Sequence, residues 1–378
     1  MSAKPRPSLA QTSRLVGRAL GMTPQELAAG FRPAIFEDLP QLLALRAQGL
    51  GDALTWDDRA YLTWRYRLGR ADQGGGDCWG LFRQGELLGM LGTQDLVLRC
   101  DGHSCQALSL MDIMIQPELE GAGLGVWLNL AIQEKAQATL AIGSNPNSLG
   151  MVRRLFEVLP DRRTFVHPVK LRHSVGKRLS IPGLSSVIAG SAEHLLRLAR
   201  MALLAPWARQ VQVRRLDLSD EALVSLNEQM ASDALVHCER TPSQLHWRVE
   251  GNPKGGCVFW GAWSGDRLLG TLGTRSVPLD GGRQALVVMD ALVSLPKGRS
   301  ALRALLWTVL EHAWRERADY VAMTSCRHDL EQELRRAGCR QYAQEFETMG
   351  WNCKDEQFRA LVGARTDWTV SELHTDRI

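Results

Sequence analysis

LSLMDIMIQPELEGAGLGVWLNLAI, residues 108–132, is the stretch from which the rest of the chain can be placed. It opens as a short apolar run containing Leu110, Ile113 and Ile115, closed by Pro117. It then repeats Leu124, Trp127, Leu128, Ala131 and Ile132 at three-and-four spacing. The first pattern predicts a buried strand and the second one face of an amphipathic helix. Between them stands Glu120-Gly121-Ala122-Gly123-Leu124-Gly125. Glycines there let the backbone approach a ligand, and unpaired N–H groups at the helix start, with the positive end of the dipole behind them, favour an anion. A pyrophosphate suits that geometry. The Gly-Lys-Ser/Thr ending of a P-loop is missing.

These residues resemble the acyl-CoA signature of the GNAT acyltransferase superfamily, apolar-x-apolar-x-Pro followed by Gln/Arg-x-x-Gly-x-Gly/Ala. Ile113, Ile115 and Pro117 match the first part, and Gly123 and Gly125 the second. Glu120 stands where Gln or Arg is usual, and an acidic side chain beside a pyrophosphate opposes binding. The resemblance implies a mixed α/β fold with acetyl-CoA or another acyl-CoA as cosubstrate and no metal. It implies contacts from Met114, Ile115, Glu120, Gly121, Ala122, Gly123, Leu124 and Gly125. The pantetheine would lie in a gap between this strand and Thr139–Gly143, with a backbone N–H near Met114 or Ile115 on the thioester carbonyl. Asn147 resembles the family's Asn that bonds the pantetheine arm; within Asn-Pro-Asn-Ser it reads equally as a turn residue or helix cap.

The second half of the chain repeats the first. Residues 79–93, WGLFRQGELLGMLGT, align with 260–274, WGAWSGDRLLGTLGT, and about half of the positions are identical. Trp64-Arg65 matches Trp247-Arg248, and Met111-Asp112 matches Met289-Asp290. A period of roughly 180 residues therefore predicts a tandem repeat of one mixed α/β domain, which the resemblance implies to be two tandem GNAT-like acyl-CoA N-acyltransferase domains. The second is degenerate, because Pro296-Lys297-Gly298-Arg299-Ser300-Ala301 keeps one glycine at the corner, although Lys297 and Arg299 could meet an anion. The expected layout is an N-terminal arm (1–30), a first domain with the motif (31–171), a basic helical connector (172–210) and the degenerate domain (211–378). The arm reads as loose until Thr23-Pro24-Gln25-Glu26, a capped helix start.

Composition narrows the classes. A net charge of +4 over 378 residues, without zinc-finger or helix-turn-helix spacing, argues against DNA as a partner. The eight cysteines form no Cys-x-x-Cys pair, which predicts reduced thiols, a cytoplasmic setting and no zinc. No apolar run reaches the eighteen or so residues of a membrane span. From 162 to 215 there are eleven Lys or Arg against one acid, Glu193. This connector reads either as contact with an anionic surface, membrane lipid or acidic glycan, or as a helix packed across the two domains with a solvated basic rim.

For proton transfer, Asp112 is the carboxylate on the central strand, and it resembles the Asp of GNAT-like proteins of polysaccharide biosynthesis. Alternation puts it on the face opposite Ile115, and Asp290 repeats it, which favours a structural anchor. Where the family carries a Tyr acid, the helix predicted over 148–158 offers Phe156. His103, beside Gly102, reads as an exposed hairpin turn. The resemblance implies N-acyl transfer to a small-molecule or glycan amine, such as an amino sugar. The alternatives are a Fem-type aminoacyl-tRNA dependent transferase and a non-catalytic CoA-binding scaffold.

Overall fold

The computed structural model describes residues 6–50, 59–68, 77–143, 146–171, 184–208, 211–231, 235–294, 298–363, 365 and 367–375. The first half supplies β1 (Phe31–Pro33), β2 (Cys78–Arg83), β3 (Glu86–Cys100), β4 (His103–Ile115), β5 (Ala138–Ala141) and β6 (Glu157–Pro168). The second supplies β7 (Gln212–Arg215), β8 (Val236–Cys238), β9 (Cys257–Ser264), β10 (Arg267–Leu279), β11 (Arg283–Val293), β12 (Tyr320–Ser325), β13 (Arg340–Cys353) and β14 (Trp368–Thr369). Twelve of these run in one mixed sheet, β1-β2-β3-β4-β5-β13-β6-β12-β11-β10-β9-β7, while β8 pairs with β3 and β14. The repeat is visible in the order: β2 to β5 and β9 to β12 mirror each other about the centre.

At that centre the halves exchange their last strands. β13 lies antiparallel on β5, β6 lies antiparallel on β12, and β6 and β13 pair with each other. Each half is therefore completed by the other's chain.

Helices cover both faces. On the first half, α1 (Leu9–Leu20), α2 (Pro24–Gly30), α5 (Leu124–Lys135) and α6 (Pro146–Leu155) lie on one face; α3 (Leu39–Leu50) and α4 (Arg59–Arg65) lie on the other. Leu88, Leu91 and Leu110 join the α1/α5 core, and Leu87 and Met90 the α3 core; the three-residue spacing on one face comes from the register shifts of β3 against β2 and β4. The second half repeats this with α8 (Ala222–Ala231) on one face, and α9 (Arg299–Arg315) and α10 (His328–Arg336) on the other. α7 (Leu184–Ala208) packs along α9, and α11 (Glu356–Gly363) closes the central core.

The capping box expected at Thr23 forms, with Glu26 bonding back to the Thr23 N–H at 2.6 Å. The stretch before it is no loose arm. α1 packs on α5 through Val16 and Leu20, and Ser13 Oγ accepts from the Trp127 indole at 2.9 Å. Its apolar residues are too sparse to show in hydropathy because small polar residues, Thr12 and Ser13, share the buried face.

Where the repeated Trp-Arg pairs meet, the contact is reciprocal. Trp64 Nε1 donates to the Trp247 carbonyl at 2.8 Å, and Trp247 Nε1 to the Trp64 carbonyl at 3.1 Å. The local dyad of the duplication runs between these rings.

Candidate functional site

The site begins where β4 outruns β5. Their parallel register ends at Leu110 opposite Ala141, yet β4 continues to Ile115, held only by β3 through the pairs Met90–Met114 and Gly89–Ile115. Met111 to Ile115 thus have one open edge, the gap expected between this strand and 139–143. The Gln116 N–H donates to Leu88 O at 3.1 Å, on the β3 side. Strand alternation then turns the Ile115 N–H to the open edge and the Met114 N–H back toward β3. Of the two candidates for polarising a carbonyl in the gap, Ile115 has the geometry. The Met114 side chain packs toward the α3 core, while those of Ile113 and Ile115 pack toward α5.

The gap leads to the glycine corner. Pro117–Leu119 form a single 3-10 turn, after which Gly121 and Gly123 take φ of 83° and 80°. These are left-handed values that favour glycine. A Cβ on Gly121 would meet nothing within 4 Å, and one on Gly123 would come no closer than 3.8 Å to Val16. The corner is therefore an open cradle walled on one side by α1, an element absent from the sequence reading. Gly125 serves differently: a Cβ there would sit 3.2 Å from Ile115 Cδ1, so its lack of side chain lets α5 lie close on β4. Leu124 is 0% exposed and anchors the first turn in the core. No side chain caps α5 at Gly123, which leaves its leading N–H groups available to an anion. Ala122 N–H is spent on Leu119 O at 3.1 Å. Glu120 is exposed at the rim.

Asp112 sits on a β-bulge. Between the pairs Gly92–Met111 and Met90–Met114, two residues of β4 oppose one of β3, and Asp112 takes φ of 52°. The bulge turns Met111 and Asp112 to the same face, toward α3 and α4. There Tyr66 donates to the carboxylate at 2.9 Å, Arg46 lies at 3.2 Å and Arg65 at 3.6 Å. Burial pushes the Asp112 carboxyl up, but the two guanidinium groups and the Tyr66 hydroxyl more than offset this, leaving it below the ordinary carboxylate value. A carboxylate held this way is a weak base and a strong anchor. Asp112→Asn is accordingly expected to cost about 3 kcal/mol, because two buried arginines lose their shared counter-charge. Urea unfolding checks this, and a midpoint equal to that of the wild type would return Asp112 to the candidates for proton transfer. Asp290 has the matching job, meeting Arg240 at 2.8 Å with both side chains almost wholly buried.

Other sequence candidates fall as follows. Asn147 lies in the first turn of α6, and its side chain, like residues 144 and 145, falls outside the described residues. Phe156 is a core residue packed under Gly350 of the exchanged strand β13. His103 is exposed beside the Asp101-Gly102 turn. Among the described residues no group of three or more His, Cys, Asp or Glu could hold a metal ion, and no helix is long and apolar enough to cross a membrane.

The second half has the same gap, walled in. β11 runs past its last pair with β12, Val288–Met323, and the chain segment Trp368–Glu372 lines a small pocket beyond. Arg327, at the end of β12, donates to Val293 O at 2.9 Å and ties the two strands together. Residues 295–297, including Lys297, lie outside the described residues. Arg299 is half exposed at the start of α9, with its guanidinium 3.6 Å from Glu333, which also takes Arg303 at 2.8 Å. The segment 368–375 also reaches the first half, where Ser109 Oγ donates to His374 O at 2.9 Å. Nothing in its short, mixed sequence announces so central a position.

No family model and no curated protein matches this sequence. Solved structures do resemble the fold. A GCN5-related N-acetyltransferase from Kribbella flavida is 16% identical with a TM-score of 0.56, covering 86% of this chain and 71% of its own. One from Anabaena variabilis is 13% identical with a TM-score of 0.54, covering 84% and 71%. N-myristoyltransferase of Saccharomyces cerevisiae with bound myristoyl-CoA is 11% identical with a TM-score of 0.54, covering 85% and 77%. At such identities the likeness is one of fold: two GNAT-like halves in one long mixed sheet.

Proposed function

We propose that this chain is an acyl-CoA dependent N-acyltransferase whose cosubstrate occupies the open gap and corner of the first half. The observation that carries the reading is the contrast between the two gaps. In the first, β4 from Met111 to Ile115 is open along one edge and leads to an unfilled glycine cradle; in the second, Trp368–Glu372 and Arg327 wall the matching place into a small pocket, and the single corner glycine, Gly298, packs against Ser294 O. Only the first gap opens onto a cradle for phosphates.

When bound, the thioester supplies an acyl carbon activated toward a neutral amine. The leading N–H groups of α5, with Gly121 and Gly123 giving the room, would hold the phosphates. The Ile115 N–H would donate to the thioester carbonyl, where negative charge develops as the amine attacks; the C–S bond breaks as the amide forms, CoA leaves as the thiolate, and the proton lost by the amine reaches it through water. Asp112, committed to Arg46 and Arg65, positions the bulge rather than taking the proton. The acceptor we assign is an amine on a small molecule or glycan, with amino sugars first in the screen. Acetyl-CoA is the simplest donor, and the likeness to a structure that holds myristoyl-CoA puts a long-chain thioester beside it in the test.

Calorimetric titration of both thioesters into the wild type and Gly123→Glu tests this. The substituted side chain must adopt a left-handed backbone and brings negative charge to the cradle, so affinity is expected to fall by roughly a hundredfold or more. A wild type that binds neither thioester would sink the reading, and co-purifying tRNA would then point to aminoacyl transfer. Binding without turnover across an amine panel would favour a CoA-binding scaffold.

A further inference from the structure

The helix α7 breaks the usual rule of amphipathicity. A helix lying on a globular domain turns its apolar stripe inward and its polar face to water. α7 does bury Leu204 against α9, and Arg197 reaches Glu311 on α9 at 3.3 Å. Yet below the exposed Ser191 and His194 its outward positions 195, 198, 199, 202 and 206 are Leu, Leu, Ala, Ala and Pro, all exposed. Leu195 is 67% and Leu198 60% exposed, the first of these more than any other large hydrophobic among the described residues. They recur at the three-and-four spacing of one face, so they form a stripe along the helix. On α9, Trp314 is 43% exposed and carries the Arg197 guanidinium 3.9 Å above its ring. An indole at the edge of an apolar stripe, capped by a cation, is the arrangement that suits a membrane interface.

Charge decides between possible covers for this stripe. Of the eleven Lys or Arg from 162 to 215, Arg162 is spent on Glu347 and Glu372, Arg163 on Glu331 and Arg197 on Glu311, leaving eight against one acid, Glu193, which is turned inward to accept from the Leu171 N–H at 2.7 Å. Arg214 and Arg215, just beyond the helix, are exposed. A second copy of this chain would bring the same positive charge to the contact and be repelled, whereas an anionic surface would be attracted.

We infer that α7 docks this chain on an anionic lipid bilayer, with Leu195, Leu198 and Trp314 entering the interface and the exposed Arg214 and Arg215 meeting the headgroups. The helix lies on the membrane without spanning it. This docking stands independently of the acyl-transfer reading.

Co-sedimentation of the full chain with vesicles of phosphatidylcholine, alone or mixed with phosphatidylglycerol, tests it. Binding is expected only to the mixed vesicles, falling as salt rises because surface charges are screened. Leu195→Glu/Leu198→Glu should weaken it by roughly tenfold or more. Val224→Glu, at an exposed apolar residue of α8 (45% exposed), should leave it unchanged. Melting curves of both variants confirm that the fold is kept. Absence of binding to mixed vesicles at low salt, or equal binding by the double variant, would overturn the inference. So would a wild type that dimerises through this face, seen as a loss of dimer in the double variant without any vesicle binding.

Discussion

Replacing Arg162 by Met is expected to destabilise the protein by about 3–5 kcal/mol, lowering its melting temperature by roughly 4–6 °C. Arg162 is 0% exposed at the middle of the sheet. Its Nη1 lies 2.6 Å from Glu347 on β13 and its Nη2 2.5 Å from Glu372 in the segment after β14. Burial alone would push its pKa down, yet the two carboxylates hold it above the ordinary arginine value. Methionine has similar reach and no charge, so the substitution removes the counterion from two carboxyl groups that are themselves about 5% exposed. The penalty comes from those groups more than from the bonds lost. The triple variant Arg162→Met/Glu347→Gln/Glu372→Gln should therefore recover part of the loss, which a simple packing defect would not allow. Urea unfolding of the single and triple variants decides; a single-variant loss under about 1 kcal/mol would mean the triad is spectator charge.

Acid should weaken the fold well before its carboxylates titrate. His237 is 0% exposed and neither ring nitrogen has a hydrogen-bond partner. Burial pushes its pKa down to about 3, reinforced by Arg240, Arg99 and Arg327. His374 is held well below its ordinary value by burial and then by Arg240, Arg248 and Arg162, and its Nδ1 accepts from the Ser371 N–H at 3.1 Å, as a neutral ring must. Both are therefore neutral in the fold, while the unfolded chain protonates them near pH 6.5. The unfolded state binds the extra protons, so stability falls as pH drops below about 6.5 and keeps falling toward the folded pKa of His237. His237 alone contributes about 1.4 kcal/mol per pH unit, or roughly 2 kcal/mol by pH 5, and His374 and His312, which burial also holds low, act in the same direction. His237→Phe should lower the slope between about pH 6.5 and pH 5 by about 1.4 kcal/mol per pH unit. An unchanged slope in urea titrations would show that His237 is protonated in the native state.

The parts of this fold that were legible in sequence are those where burial writes a period. β4 and α5 show as an alternating apolar run and a three-and-four repeat, and Gly121, Gly123 and Gly125 mark a corner because side chains would be strained or would clash there. The duplication is legible because both halves solve the same packing problem around Leu87–Thr93 and Leu268–Thr274. What could not be read is pairing by edge. Alternation reports which face of a strand is buried and is silent on which strand lies beside it, so the exchange of β6 and β13 leaves no trace. Charge misleads in the same way. Arg65, Arg162, Arg240, Arg248 and Arg327 are each at most 2% exposed, although a basic residue in sequence reads as surface. Except for Arg327, which pairs with Asp329 two residues on, their partners, Asp112, Asp290, Glu347, Glu372 and the carbonyls of Leu373 and Thr375, come from distant segments. The open gap was anticipated from the resemblance; that Ile115 and not Met114 turns its N–H into it follows only from the Gln116–Leu88 bond.

The exchange of β6 and β13 sets the order in which the molecule can be made. As the chain leaves the ribosome, β5 emerges with one edge bare, because the strand that covers it belongs to the last part of the sequence. β6 follows and must wait for both of its neighbours, β12 and β13. The nascent first half thus carries unpaired, apolar strand edges for most of the time taken to synthesise the second, the condition under which chains cross-pair or recruit holding chaperones. Duplication with exchange has welded two ancestral units into one folding event, so that the half with the open gap matures only when the half with the walled-in one arrives.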